Sequence, residues 1–392
     1  MASESEKSGG AEDLPVIVCG GGVIGCALAY FLTEKKKRVV IVEQERIAAA
    51  ASGRAGGFLA LDWCDSDEVG PLARASFRLH AELSEQLAKE GHDTLYRRVD
   101  TLALSIRGDA PLPEGAAKKG SLPAWLNRGV RGVSKLGTQE TTAQVQPRLF
   151  TEALFDVASK RGASLRKGSV TGLLFEDSSS SSAKGEETEV AGVLVDGEPL
   201  RASQVVLAMG PWTCKAAEWL KGAGSFPRVT GQRYHSILMR PKEPITGHAC
   251  FCNDEGKGED FEIYPRSNND VYVCGSPDFG PLPDHAGLLD ACVEEERVAL
   301  IKALSDGVSD ALRECEVEER SCCWLPFVPD NIPMMGKVPG VRNLFASTGH
   351  GCWGILNGPA SGLAMAELLV DGESKSLNLH PFSPSRFATT IK

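Results

Sequence analysis

The sequence predicts an α/β fold made of two interleaved domains, one built on a parallel sheet and the other on an antiparallel sheet. Uninterrupted β-branched runs at 16–18 and 39–42 are typical of buried parallel strands. Glycine-rich turns join such strands to apolar helices near both ends of the chain. Between these parts, charged helical patterns alternate with single strands, which is typical of an α+β domain.

The composition excludes several classes of partner. The 392 residues carry a formal net charge of −10, which argues against nucleic acid or an anionic membrane as the main partner. No apolar run reaches the roughly 18 residues of a membrane span. The start "MASESEKSGGAEDL" resembles neither a secretory signal nor a transit peptide, and twelve scattered cysteines suit a reducing compartment. We therefore expect a cytoplasmic protein without a metal site, and the sequence leaves its oligomeric state open.

The first element, residues 16–45, reads as strand, helix and strand around a glycine motif. Gly20, Gly22 and Gly25 fit the spacing G-x-G-x-x-G, in which the glycines permit a tight turn, close approach of a pyrophosphate and close helix–strand packing. The helix N-terminus would offer free N–H groups to phosphate. Glu43 follows Gly25 by 18 residues, near the position of an acid that accepts a ribose hydroxyl. This combination predicts a dinucleotide site.

The later elements are further helices and strands, and the last of them repeats the order of strand, glycine-rich turn and helix. Residues 147–165 have the pattern of an amphipathic helix that ends at Gly162. Two strand-like runs flank the polar segment 176–189 and predict a hairpin with a surface loop. A buried strand at 204–209 ends in Gly-Pro, and residues 343–372 read as strand, glycine-rich turn and apolar helix. We expect the dinucleotide-binding domain at 14–62, 141–215 and 321–375, the substrate domain at 63–140 and 216–320, and flexible or surface segments at 1–13, 177–189 and 376–392.

Five sequence marks, in order along nearly the whole chain, resemble the flavin-dependent superfamily of D-amino-acid oxidase, glycine oxidase and sarcosine oxidase. They are the glycine motif with Glu43, "ASGRAGG" at 51–57, "VVLAMGPW" at 205–212, "PDNIPMMG" at 329–336 and "GHGCWGILNGPASG" at 349–362. Among its members, the chain looks most like eukaryotic intracellular proteins of uncertain substrate. The resemblance implies a Rossmann-type FAD-binding domain interleaved with an antiparallel-sheet substrate domain that covers the flavin ring.

The motif and the resemblance together imply a set of FAD-binding residues. In "ASGRAGG", Ser52 could hydrogen-bond a phosphate and Arg54 could neutralise one, although a surface role for Arg54 is equally open. In "GHGCWG", backbone N–H groups and His350 could hold negative charge on the ring. The full set is Gly20, Gly22, Val23, Ile24, Gly25, Glu43, Gln44, Ser52, Gly53, Arg54, Ala55, Gly56, Gly57, Val170, Ala208, Gly210, Trp212, Gly349, His350, Gly351, Cys352, Trp353, Gly354 and Ile355.

The resemblance also implies the reaction, which is hydride removal from the carbon next to an amine nitrogen, with imine formation. Since the flavin supplies this chemistry, His350 and Trp353 are the only candidate catalytic residues. An amine-type small molecule is the expected substrate. A flavin dehydrogenase with an acceptor other than oxygen, and a non-catalytic or regulatory flavoprotein, remain as alternatives. The FAD is expected to be bound without a covalent link, and Cys323 is the position where the resemblance would place one.

Three departures from the superfamily bear on the substrate. An arginine that clamps the substrate carboxylate in glycine and D-amino-acid oxidases is replaced here by Leu325, and a lysine of the sarcosine oxidases by Trp353. The strand "DVYVCGS" also has no lysine of the kind that activates oxygen. Arg233 and Arg266 are the candidate replacements for the clamp. Simple α-amino acids are therefore not the expected substrates.

Overall fold

The computed structural model describes residues 14–112, 122–176, 188–220 and 226–388. Its strands are β1 (Val16–Cys19), β2 (Val39–Glu43), β3 (Phe58–Ala60), β4 (Arg97–Arg98), β5 (Asp100–Pro111), β6 (Arg128–Gly137), β7 (Thr142–Gln144), β8 (Ser164–Lys167), β9 (Val170–Phe175), β10 (Thr188–Val195), β11 (Glu198–Arg201), β12 (Gln204–Leu207), β13 (Thr230–Met239), β14 (His248–Asp254), β15 (Glu259–Pro265), β16 (Val271–Asp278), β17 (Val317–Phe327), β18 (Met334–Lys337), β19 (Val341–Arg342) and β20 (Leu344–Thr348). Its α-helices are α1 (Val23–Glu34), α2 (Ala51–Arg54), α3 (Gly70–Lys89), α4 (Pro147–Lys160), α5 (Ala216–Trp219), α6 (Glu295–Asp306), α7 (Asp310–Arg313) and α8 (Gly354–Asp371).

A six-stranded sheet forms the first domain and confirms the predicted parallel sheet. Its order is β18-β20-β12-β1-β2-β8, and every neighbouring pair is parallel except the edge pair β18–β20. Ile17 in the central strand lies opposite Val40 on one side and Val205 on the other. Both faces of such a sheet are covered, which explains the uninterrupted apolar runs.

Four helices pack on one face of this sheet and share its main core. A Cβ atom added at Gly362 of α8 would lie 2.6 Å from the backbone carbon of Ala27 in α1, so the two helices approach closely. The core also includes Leu72 and Phe77 of α3, which the sequence analysis assigned to the substrate domain. The apolar stripe of α3 packs here because α8 presents a complementary apolar face.

A seven-stranded sheet, in the order β17-β13-β16-β15-β14-β5-β6, forms the second layer. Its pairs are antiparallel, as predicted, except for the parallel pair β5–β14. The parallel pair arises where the two inserted pieces of chain meet without a hairpin. The predicted boundary at 321 falls inside β17, which belongs wholly to this sheet. The outer face of the seven-stranded sheet packs on α6 through Ile301 and Leu304.

The remaining predicted segments are only partly described. The hairpin around the polar segment is confirmed as the antiparallel pair β9–β10, whereas residues 177–187 and 1–13 lie outside the described part of the chain. Near the C-terminus, Phe382 is buried and Arg386 forms an ion pair with Asp330. Residues 376–388 are therefore held against the first domain. In the described ranges, no helix is long and apolar enough to span a membrane.

Candidate active site

A cavity with about 1190 Å³ of empty space, including the open solvent at its mouth, extends from the N-terminus of α1 to the glycine-rich turn before α8. Its elongated course joins the two segments of the chain that the sequence analysis assigned to the pyrophosphate and to the ring. Of the predicted FAD-binding residues, the following line it: Gly20, Gly22, Val23, Ile24, Glu43, Gln44, Ser52, Ala55, Val170, Ala208, Gly210, Trp212, His350, Gly351, Cys352, Gly354 and Ile355.

The glycine motif forms a cradle at one side of the cavity. Gly20 has a φ of +110°, and a Cβ atom there would overlap the carbonyl oxygen of Ala208. A Cβ atom at Gly25 would overlap the carbonyl oxygen of Gly20, as predicted for a packing glycine. A Cβ atom at Gly22 would instead contact only the Ser52 side chain, with its Oγ at 3.1 Å. Gly22 thus keeps the space in front of α1 free, which fits a pyrophosphate.

Glu43 ends β2 at the side of this cradle. Its carboxylate accepts hydrogen bonds from the backbone N–H groups of Gly21 (2.8 Å) and Glu45 (2.9 Å). Burial raises the pKa of Glu43, and these two hydrogen bonds oppose the increase. Since each carboxylate oxygen has two lone pairs, it can also accept from a ribose hydroxyl.

Ser52 and Arg54, both predicted to contact phosphate, lie in different surroundings in the structure. The Oγ of Ser52 accepts a hydrogen bond from the N–H of Val23 at 2.9 Å, at the beginning of α1. Arg54 is not among the residues that line the cavity, and its Nη1 atom lies 2.7 Å from Asp290 and 3.1 Å from the Oγ of Ser321. The guanidinium thus has a partner in the second domain, and its contact with phosphate stays a prediction.

The turn at 349–355 closes the other end of the cavity. The Nε2 atom of His350 lies 3.0 Å from the Oγ of Ser361, and burial lowers the pKa of His350 to about 3. The ring is neutral near pH 7 and offers a hydrogen bond rather than a positive charge. Gly351 and Cys352 begin a short helix, so their N–H groups have no intrahelical partner and can face the ring of a cofactor.

Several predicted residues lie outside the cavity lining. Gly53 and Gly57 sit against the backbone carbonyl groups of Ala48 and Val145 and serve packing. Trp353 is half-buried and meets Trp63 edge to face, with ring centroids 6.2 Å apart. The remaining members of this set are Gly56, which contacts Tyr264, and Gly349, which contacts Val328.

The two arginines predicted to clamp a carboxylate are engaged elsewhere. Arg233 is buried and pairs with Asp278, at 2.9 Å, and with Glu294. Arg266 is buried below the ring of Tyr272, with its Nη2 atom 3.3 Å from the carbonyl oxygen of Ala55, and burial lowers its pKa. Neither lines the cavity. Because two carboxylates already pair with Arg233, this arrangement does not favour its predicted clamp role.

Other residues that line the cavity were missed or assigned another role. Leu325, which stands where the superfamily has its clamping arginine, lines the cavity. Lys215 lines it too and donates a hydrogen bond to the carbonyl oxygen of Asp284 at 2.9 Å. Ser347 and Thr348 at the end of β20 were not predicted, although their position before the glycine-rich turn was a usable signal. In the described ranges, no group of acidic, histidine or cysteine side chains is arranged to hold a metal ion.

These features define a dinucleotide-binding α/β protein in which a second sheet covers one end of the cofactor cavity. Comparison with known proteins gives the family. Residues 15–368 match the family described as FAD dependent oxidoreductase. A Schizosaccharomyces pombe protein named as an oxidoreductase is 31% identical, over 94% of this chain and 97% of its own length. The chain belongs to this family of FAD-dependent oxidoreductases.

Two further similarities involve one kind of enzyme. The glycine oxidase of Geobacillus kaustophilus is 25% identical over 95% of this chain and 96% of its own length. The crystal structure of glycine oxidase from Geobacillus kaustophilus has a TM-score of 0.76 and 23% identity, covering 95% of this chain and 98% of that one. This likeness confirms the predicted fold.

Proposed function

We propose that this protein oxidises a C–N bond of a small amine, passing a hydride to FAD and releasing an imine. The observation that best supports this is the course of the cavity. It begins at the cradle of Gly22 and ends at the 349–355 turn, directly beside half-buried aromatic side chains of the second domain. The glycine oxidase among its relatives carries out a reaction of this class, and its similarity extends over both domains.

The residues of the chain have separate tasks in this proposal. Bound FAD would supply the acceptor for the hydride. The N–H groups around Gly22 bind the pyrophosphate, and Glu43 accepts a hydrogen bond from the ribose. The N–H groups of Gly351 and Cys352 hold the ring, and the neutral His350 keeps that turn in place through Ser361. Leu325 and Trp353 exclude water from the substrate.

Anaerobic mixing with amines tests the proposed function. The purified holoenzyme would be mixed with primary amines, secondary amines and glycated amino acids, and the flavin absorbance followed. We expect at least one secondary amine to bleach the flavin. Repeating the reaction with oxygen and with a redox dye would separate an oxidase from a dehydrogenase. A flavin that no amine reduces, although dithionite does, would refute amine oxidation.

We expect the FAD to be released by acid precipitation, leaving a yellow supernatant. Cys323, the predicted position of a covalent link, is buried, and burial raises the pKa of its thiol to about 11, with Arg54 opposing the increase. A thiol with so high a pKa is rarely the reactive thiolate. Cys352 is exposed and faces the cavity, so it is the second thiol to consider.

A yellow pellet would contradict this expectation, and two variants would then locate the bond. Loss of the colour from the pellet in Cys323→Ser alone would place the link where the resemblance implies. Loss in Cys352→Ser alone would place it at the 349–355 turn.

A further inference from the structure

A carboxyl group stands on the inner face of the seven-stranded sheet. Glu262 lies in β15, where the register places it beside Phe251 of β14 and Cys274 of β16. Its strand neighbours Phe261 and Ile263 point into the core under α6. Because side chains alternate along a strand, Glu262 points to the opposite face, toward the first domain. A glutamate on that face requires a partner or a function.

Aromatic rings from both domains surround this group. Phe58 stacks on Tyr264 with centroids 5.7 Å apart and meets Phe251 at 5.0 Å. Trp63 lies 4.9 Å from Phe251 and 6.2 Å from Trp353. We call these five rings the aromatic recess. Three of them, Trp63, Phe251 and Trp353, are only half-buried, so part of each ring remains accessible.

The carboxyl group of Glu262 is only partly satisfied. Both of its donors act on the same oxygen, because Oε2 accepts from the hydroxyl of Tyr264 at 2.6 Å and from the thiol of Cys274 at 3.4 Å. Within the described ranges no donor reaches Oε1, and no Lys, Arg or His side chain pairs with Glu262. Burial raises its pKa, while these two hydrogen bonds oppose the increase. Glu262 is half-buried, and a carboxylate that is partly removed from water and has no cation beside it would be stabilised by a cationic ligand.

The aromatic recess adjoins the end of the cofactor cavity. Trp353, one of its five rings, belongs to the 349–355 turn, and its neighbours Cys352 and Gly354 line the cavity. The ring of Tyr264, whose hydroxyl holds Glu262, lies against Gly56, next to the cavity-lining residue Ala55. A ligand nitrogen held by Oε1 would therefore sit next to the proposed ring site.

We propose that Glu262 and the aromatic recess bind the positively charged nitrogen of an apolar or aromatic amine that has no carboxylate near that nitrogen. This inference rests on the proposed function and names its substrate class. The carboxylate would pair with the ammonium group, while the faces of Trp63 and Trp353 would contact its apolar and cationic surface. Before hydride transfer the ammonium gives one proton to the carboxylate, which leaves a neutral amine and a neutral carboxylic acid.

Charge recognition can be measured without turnover. The probe is benzyltrimethylammonium, a cation with no N–H group, and its neutral isostere is neopentylbenzene. Binding to the holoenzyme is followed by tryptophan fluorescence and by the flavin absorption spectrum. We expect the unmodified protein to prefer the cation, and Glu262→Gln to weaken cation binding by about tenfold or more with little change for the isostere.

A variant of the same strand serves as the control. Glu259→Gln makes the same substitution at the beginning of β15, and cation binding should be unchanged. Equal binding of the two probes by the unmodified protein, or an unchanged cation affinity in folded Glu262→Gln, would overturn the inference.

The outcomes also separate this inference from the proposed function. If the cation preference depends on Glu262 but no amine reduces the flavin, the binding site stands and amine oxidation fails. If amines reduce the flavin equally well in the unmodified protein and in Glu262→Gln, and cation binding is unchanged, amine oxidation stands and Glu262 has no part in it.

Discussion

Gly22→Val is expected to yield a folded protein without FAD. An added Cβ atom at Gly22 would meet only Ser52, with Oγ at 3.1 Å, so the valine side chain would extend into the cradle rather than into the backbone. It would fill the space assigned to the pyrophosphate and displace Ser52 from the N–H of Val23. Losing two hydrogen bonds to a charged group costs roughly 3–6 kcal/mol, which corresponds to FAD binding weaker by at least about 100-fold.

The measurement is the ratio of flavin to protein absorbance, with circular dichroism to confirm folding. Two other glycines provide matched controls. Gly132→Val lies in β6, where an added Cβ atom would have an ordinary contact of 3.4 Å with Ser105, and the protein should stay yellow. Gly25→Val would overlap the carbonyl oxygen of Gly20 and should not fold. A folded Gly22→Val variant with full flavin content would show that the cradle lies elsewhere.

The sequence was sufficient for the first domain because its signals are local. The β-branched runs of β1 and β2, the spacing of Gly20, Gly22 and Gly25, and the acid at the end of β2 are all read within 30 residues of chain. The motif assigns a steric role to each of the three glycines, and the structure confirms the packing role of Gly25. The fold of this part was predictable because one short segment contains its own determinants.

Contacts between distant segments were not predictable in the same way. For Arg54 the sequence left a contact with phosphate and a surface role open, and the structure pairs it with Asp290, more than 230 residues away. Arg233 was assigned to the substrate, but Asp278 and Glu294 reach it from β16 and the beginning of α6. A single sequence shows that an arginine is present and says nothing about which carboxylate a sheet will bring to it.

Glu262 shows why the sequence did not reveal the proposed amine-binding site. In the strand "FEIYP", a glutamate between two apolar residues is the ordinary pattern of a strand with one wet face. Only the position of the second sheet reveals that this face turns inward, where Phe58 and Trp63 from the first part of the chain meet Phe251. The alternation separates Glu262 from Phe261 and Ile263, but it does not show what lies opposite the face that Glu262 occupies.

Glycine, D-alanine and sarcosine are each expected to reduce the flavin very slowly. Their carboxylate would enter an apolar site in which Leu325 lines the cavity and Glu262 adds a repulsive charge. Arg233 cannot compensate, because Asp278 and Glu294 already neutralise it. An unpaired buried charge costs roughly 3–5 kcal/mol, which corresponds to a reduction rate lower by about 100- to 1,000-fold or more.

The matched pair N-methylbenzylamine and N-benzylglycine isolates this effect, since both are secondary amines with a benzyl group and only the second has a carboxylate. Stopped-flow measurement of anaerobic flavin reduction should show the amine reacting at least about 100-fold faster. Leu325→Arg should reduce the difference in rate between the two compounds, because a guanidinium in the cavity lining would pair with the carboxylate.

Rapid reduction by glycine, D-alanine or sarcosine in the unmodified protein would contradict the argument. Loss of that activity in Lys215→Met or in Arg266→Met would then identify the cation that binds the carboxylate, because Lys215 lines the cavity and Arg266 lies behind Ala55 at its edge.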